Sequence, residues 1–236
     1  MSSIFSQRSA GVEIMDDLDC KGEVVNQTLR ELEFINRTLG GNQITVTGIN
    51  DLLKDESQTD LEIVDLGCGG GDMLVLLAKE FSMKNRKARF LGVDANPNII
   101  DYAQSHVQNF SNIEFETVNI LSSEFQSKKF DIAIATLFFH HFTSEQLSNI
   151  IAKLHSQCRV GIVINDLHRH PLAFYSIKLL TKLFSKSTMV KFDAPLSVLR
   201  GFSRKEMIEI LKNAGIKKYT LQWRWAFRWK VIIPRS

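Results

Sequence analysis

The chain has 236 residues, 44% of them hydrophobic, and a formal net charge of +3. That length and apolar content support a substantial buried core, and the small charge, with no concentrated basic run, excludes an electrostatic nucleic-acid binder. Cys20, Cys68 and Cys158 are odd in number and form no C-x-x-C motif, so a disulfide framework or zinc site is excluded and a reducing cytoplasmic setting expected. No apolar run reaches the length of a membrane span or a secretory leader.

In chain order, the first feature is a short acidic stretch, Met15-Asp16-Asp17-Leu18-Asp19. Val25, Leu29, Leu32, Ile35 and Leu39 then mark one face of a helix that Gly40-Gly41 stops. Leu61 to Leu66 reads as a buried strand, and Leu74, Leu77 and Phe81 repeat at helical spacing behind it. Between them lies Asp65-Leu66-Gly67-Cys68-Gly69-Gly70-Gly71-Asp72. Strand, glycine turn and helix bring main-chain N–H groups up to a nucleotide-like ligand. The dinucleotide fingerprint needs a glycine at position 72, where this chain has an acid. A diphosphate between Asp65 and Asp72 would meet two more anions, whereas a ligand carrying an ammonium and a sulfonium would be welcomed. S-adenosylmethionine is the common cofactor with that charge pattern.

Phe90 to Asp94 is a second apolar strand, ending in an acid about 20 residues beyond the glycines. Asn96 caps the next helix and Pro97 opens it. Ile113 to Ile120 reads as a third strand, and Phe130 to Thr136 as a fourth that runs into Leu137, Phe138, Phe139, His140 and His141. Thr143 and Gln146 form a capping box, with Phe142 and Leu147 as a hydrophobic staple, so a helix begins at about residue 144. Val160 to Asn165 is a buried strand. Asp166-Leu167-His168-Arg169-His170-Pro171 follows, and then Leu172, Tyr175, Leu179 and Leu183 line a helix beside a stripe of Lys178, Lys182 and Lys186. Ser203 and Glu206 repeat the capping device for a helix ended by Gly215. Trp223, Trp225, Phe227, Trp229 and Val231 alternate with basic residues, which predicts one strand with an apolar and a basic face.

From residue 60 to 236 this order of motifs resembles the class I S-adenosylmethionine-dependent methyltransferases. The resemblance implies an α/β, Rossmann-like doubly wound sheet of seven strands in the order 3-2-1-4-5-7-6, with the last strand antiparallel. Residues 56–236 would form the cofactor-binding domain, with a helical insertion at about 167–200 whose apolar helix face is expected to help shape the pocket for an aromatic or lipid-like acceptor. Residues 1–55 would form a helical extension, either a lid over the cofactor or a helix on the sheet's outer face. Cofactor contacts are expected from Asp65, Gly67, Cys68, Gly69 and Gly71, from Asp94 and Ala95, from Asn119 and Ile120, and from Thr136 and Leu137. Many family members have Asp at the adenine position taken here by Asn119.

Methyl transfer from a sulfonium needs alignment and a way to shed the acceptor's proton. The ends of the fourth and fifth strands present His140, His141, Asp166 and His168, and imidazole titrates near neutrality. His140 or His141 is the expected base, with Asp166 orienting it. The His168-Arg169-His170 run is the next candidate, Arg169 as a binder of an acidic group. The histidine spacings match no metal motif, so no metal is expected. Thr136-Leu137-Phe138-Phe139 lacks the polar-Pro-Pro-aromatic motif of amine-methylating relatives. The expected reaction is O-methylation of a hydroxylated aromatic or polyketide-like molecule. The alternatives are C-methylation of a quinone precursor and cofactor binding without transfer. An apolar or aromatic small molecule is the expected partner, with no nucleic acid and no integral membrane association, and a homodimer is left open.

Overall fold

The computed structural model describes residues 4–54 and 60–235. The expected domain boundary at 55/56 lies outside the described residues. After an extended N-terminal segment and a 3₁₀ turn at Ile14–Asp16, α1 spans Glu23–Thr38 and α2 Gly41–Leu52. The alternating units follow as β1 Asp60–Leu66, α3 Asp72–Met83, β2 Lys87–Asp94, α4 Pro97–His106, β3 Ile113–Thr117, α5 Ser123–Ser127 and β4 Phe130–Thr136. Then come α6 Ser144–Gln157, β5 Cys158–Leu167, α7 Pro171–Phe184, α8 Thr188–Arg200, α9 Arg204–Asn213, β6 Thr220–Arg224 and β7 Arg228–Pro234.

The strands form one seven-stranded sheet in the order β3-β2-β1-β4-β5-β7-β6, with β7 antiparallel to both neighbours. Strand side chains alternate between faces, and both faces are covered, so the central strands are apolar at nearly every position. Val64, Leu66, Ala133, Ala135, Ile162 and Ile164 enter the core shared with Leu147, Ile151 and Leu154 of α6 and Met207 and Ile210 of α9. Ile63, Ile132, Ile134 and Val163 enter the opposite core with Val46 and Ile49 of α2 and Leu74, Leu77 and Phe81 of α3.

The N-terminal region differs from the single helix expected. Gly40 takes a left-handed φ of 70°, and α2 starts at once at Gly41. Gly48 of α2 lies so close to β5 that a Cβ would sit 2.5 Å from Val163 Cγ1. α2 therefore packs on the sheet, while α1 lies beside the ends of the strands.

The C-terminal alternation is also corrected. It is a hairpin rather than one strand, turning at Trp225–Phe227 between β6 and β7. The predicted basic face is buried on β7. Lys230 Nζ reaches Asp51 at 2.7 Å, and Arg228 Nη2 donates to Asn36 Oδ1 at 2.9 Å. Helices α1 and α2 cover that face: Asp51 pairs the Lys230 ammonium, whereas among the described residues the Arg228 guanidinium meets only the neutral amide of Asn36 there.

Candidate active site

β1 ends at Leu66, and the main chain then turns back by using three glycines with positive φ, Gly67 (65°), Gly69 (52°) and Gly71 (79°). Two of these positions are also closed by neighbours: a Cβ would lie 2.1 Å from the Phe138 ring at Gly67 and 2.7 Å from the Phe115 ring at Gly71. The N–H groups of Gly67 and Cys68 donate to Val93 O at 2.9 and 3.1 Å, tying the turn to β2. The turn opens onto a cavity of about 1140 Å³ at the C-terminal ends of β1, β2 and β4, the place where open parallel sheets bind ligands.

Three carboxylates surround this cradle. Asp65 is buried, and burial first, then Asp72 and Asp94, pushes its carboxyl well above the usual range. Asp72 and Asp94 are pushed up as well, by burial. Asp94 Oδ1 accepts from the Asn96 N–H at 2.9 Å, and Asn96 caps α4 as the sequence predicts. A site in which buried acids resist ionisation, and in which Asp72 and Asp94 add to the cost at Asp65, gains by taking up a cation and would repel a diphosphate. Cys68, Gly69, Ala95, Asn119, Ile120, Thr136 and Leu137 also line the cavity. Gly71 does not line it; its role is to let the chain turn against Phe115 and Val107. Asn119 Oδ1 accepts from the Leu121 N–H at 2.9 Å, and Thr136 Oγ1 pairs with Thr45 Oγ1 at 2.9 Å.

Across the cavity stand the two histidines, set by a 3₁₀ turn over Phe139–His141. Leu137, with φ 54°, reverses the chain after β4 and directs it there. Asp166, fully buried at the end of β5, accepts from the Phe139 and His140 N–H groups at 2.8 and 3.2 Å through Oδ2. Its Oδ1 lies 2.8 Å from His140 Nδ1. Burial raises the Asp166 carboxyl, but the facing His140 outweighs it and holds it below the ordinary value. With Nδ1–H donated to Asp166, the His140 tautomer leaves Nε2 as a proton acceptor. His141 repeats the pattern with Asp16, its Nδ1 lying 2.5 Å from Asp16 Oδ1.

Four further members of this cluster carry no local sequence signal. Glu13 is buried, with Oε2 accepting from Ser197 Oγ at 2.8 Å, and Oε1, which has no hydrogen-bond partner, 3.7 Å from His140 Nε2. Burial pushes its carboxyl up to about 7. Arg200 donates to Asp16 Oδ2 at 2.5 Å and to the His141 carbonyl at 2.7 Å. Arg8 donates to the carbonyls of His140 and Phe142 at 2.9 and 2.8 Å. Arg228 lines the cavity from β7, and its Nη1 is buried without a partner. Nothing in local spacing links these residues to the histidines, although the acidic stretch at 15–19 is the visible trace of Asp16. Glu13, His140 and His141 do place one donor atom each within 4.8 Å of one another. The Arg200 guanidinium, 3.5 Å from Glu13 Oε1, already supplies positive charge there and disfavours a metal ion.

His168 does not share the cavity. Its ring packs beside Trp229 and His170, at 4.9 and 5.4 Å between centroids, and burial lowers its proton affinity. Arg169 is a structural clamp, donating to Phe5 O, Gly201 O and Glu206 at 2.6–3.0 Å, so it is committed within the fold. The insertion helix is turned the other way from expectation. Ala173, Ser176, Ile177 and Leu180 of α7 line the cavity, whereas Leu172, Tyr175, Leu179 and Leu183 face solvent.

The glycine cradle, its ring of acids and the sheet order define a methyltransferase domain. Residues 63–161 match the family model described as methyltransferase domain, and the sheet has the strand order of the class I S-adenosylmethionine-dependent methyltransferase fold. It is 24% identical over 73% of its length to carboxy-S-adenosyl-L-methionine synthase of Helicobacter pylori, 75% of which is covered. Over 39% of its length it is 34% identical to a malonyl-[acyl-carrier protein] O-methyltransferase of Acetivibrio thermocellus, of which it spans 30%. Its fold matches magnesium protoporphyrin IX methyltransferase from Synechocystis with bound SAH, with a TM-score of 0.57, 20% identity and coverage of 86% of this chain and 87% of that one.

Proposed function

We propose that the chain transfers a methyl group from S-adenosylmethionine to a hydroxyl oxygen of an apolar or aromatic small molecule in the cytoplasm, with His140 as the base. One observation carries this reading: an imidazole fixed through Nδ1 by a buried carboxylate lines the same cavity as the acidic glycine cradle. When bound, S-adenosylmethionine supplies an electrophilic methyl on a sulfonium sulfur. Asp94 would hold the ribose hydroxyls, Asn119 and Ile120 the adenine, and Asp65 and Asp72 the positive end. Arg228, with its free Nη1, would take the carboxylate.

On the acceptor side, His140 Nε2 takes the hydroxyl proton, and the oxygen's lone pair becomes available for the new bond. Asp166 stabilises the imidazolium that results without taking its proton. Glu13, whose proton affinity lies near neutrality, then accepts the proton at Oε1 and passes it toward solvent. Such a positioned base contributes about 10²–10⁴-fold. Helix α1 lines the cavity through Leu29, Leu32 and Asn36, and in this reading it acts as the lid over both ligands.

The test is calorimetry with S-adenosylmethionine and S-adenosylhomocysteine, followed by methyl-release assays across phenols, quinols and non-hydroxylated analogues. Methyl transfer confined to hydroxylated acceptors is expected. Carbon methylation, an altered adenosyl product without an acceptor, or tight binding with no transfer to any acceptor would each refute the assignment.

A further inference from the structure

Helix α7 exposes the kind of side chain that a water-facing helix conceals. Leu172, Tyr175, Leu179, Leu183 and Phe184 are 58–76% exposed. Their spacing of three, four, four and one places them along one side of the helix. An apolar stripe of this extent marks a surface that meets something other than water. Lys178, Lys182 and Lys186 run beside the stripe, Lys191 and the exposed Phe192 follow near the start of α8, and no acid occurs in the sequence from Pro171 to Phe192. Phe227 stacks on His170 at the start of α7, with ring centroids 5.1 Å apart, and brings the 66%-exposed Trp225 of the β6–β7 turn to the same end.

We propose that this face docks on an anionic lipid bilayer, with α7 lying in the headgroup layer. Apolar side chains flanked by lysines, with a tryptophan at the rim, match the depth profile of a bilayer surface whose headgroups are negative. Charge decides against a second copy as the occupant. A two-fold contact sets a patch against itself, and here it would oppose lysine to lysine. The opposite side of α7 lines the cavity through Ala173, Ser176, Ile177 and Leu180, and Trp225 lines it too. The helix therefore separates the proposed bilayer from the reaction space, and a lipid-soluble acceptor would have a short path inward. That last consequence rests on the proposed O-methylation; the docking itself does not.

Vesicle flotation with the full chain tests the docking directly, comparing phosphatidylcholine with a mixture holding about 30% phosphatidylglycerol, an anionic surface of the kind lysines recognise. Capture is expected on the anionic vesicles only and should weaken at about 0.5 M salt, where screening is strong. Lys178→Glu with Lys182→Glu, and separately Leu179→Glu with Leu183→Glu, should each lower vesicle affinity by about tenfold or more. Cofactor affinity and methylation of a soluble phenol should be unchanged in both, which separates a docking failure from a failure of the enzymatic reading. The proposal is overturned by no capture on anionic vesicles, by capture that neither pair of substitutions reduces, or by equal capture on neutral vesicles. A dimer or an acidic protein partner that depends on these residues, in the absence of vesicle binding, overturns it as well.

Discussion

Replacing Glu13 by glutamine isolates the one buried carboxyl in the active-site cluster whose proton affinity is lifted to neutrality. Its carboxyl titrates at about 7 in the folded chain against an ordinary 4.5, and burial is the leading cause. A carboxyl raised by folding stabilises the native state at low pH and loses that contribution as pH climbs through the folded value. Each tenfold in proton affinity is worth about 1.4 kcal/mol, so wild type should forfeit about 3 kcal/mol between roughly pH 4.5 and pH 8. In the Glu13→Gln variant the amide oxygen can still accept from Ser197 Oγ, but the side chain has no proton to lose. The stability difference between variant and wild type should therefore grow in the variant's favour across that window and level off above it. In thermal unfolding of the cofactor-free chain this corresponds to about 5–10 °C for a domain of this size. Contributions from Asp16 and Asp166 cancel in the comparison, because both proteins carry them. Parallel pH profiles for the two proteins would show that Glu13 is not a desolvated acid and would remove it from the proposed proton path.

Three further outcomes are expected. Asp166→Asn keeps a hydrogen-bonding group against His140 but favours the wrong tautomer; turnover should fall by about 10²–10⁴-fold with cofactor affinity intact in calorimetry, and an unchanged rate would exclude the His140–Asp166 pair. Asp94→Ala should weaken S-adenosylmethionine binding by about 1–3 kcal/mol through lost charge-assisted hydrogen bonds, and equal affinity would displace the ribose contact from β2. Gly71→Ala imposes a side chain at φ 79° and 2.7 Å from the Phe115 ring, so it should destabilise the fold by about 1–3 kcal/mol in denaturant titration, whereas wild-type stability would mean that the turn relaxes freely.

The parts of the fold that local chemistry dictates were legible. Glycines with positive φ cannot be replaced cheaply, caps announce themselves by side-chain type, and strands covered on both faces are apolar throughout. The cradle, the helix starts at Ser144 and Arg204 and the positions of β1, β2, β4 and β5 all followed from such signals. The C-terminal hairpin was hidden because its turn, Trp225-Ala226-Phe227, contains no Gly, Pro, Asn or Asp, while period two continued unbroken across it. The second N-terminal helix was hidden for a related reason. Gly41 reads as part of a helix stop, yet it and Gly48 let α2 approach Arg228 and Val163 closely.

For the site, the limit of sequence reading is that acid–base partnership is a long-range property. His140 finds Asp166 26 residues away, a distance within reach because consecutive parallel strands end at the same edge of the sheet. His141 finds Asp16 125 residues away, and no periodicity encodes that. The insertion helix shows the opposite failure, where a correct pattern led to a wrong direction. Apolar spacing along α7 identified a stripe, and the ordinary inference that a stripe faces inward put it in the pocket. The cavity instead takes Ala173, Ser176, Ile177 and Leu180, while Leu172, Tyr175, Leu179 and Leu183 stay outside. A helix beside a cavity has two surfaces to satisfy, and hydrophobic periodicity alone does not say which of them meets water.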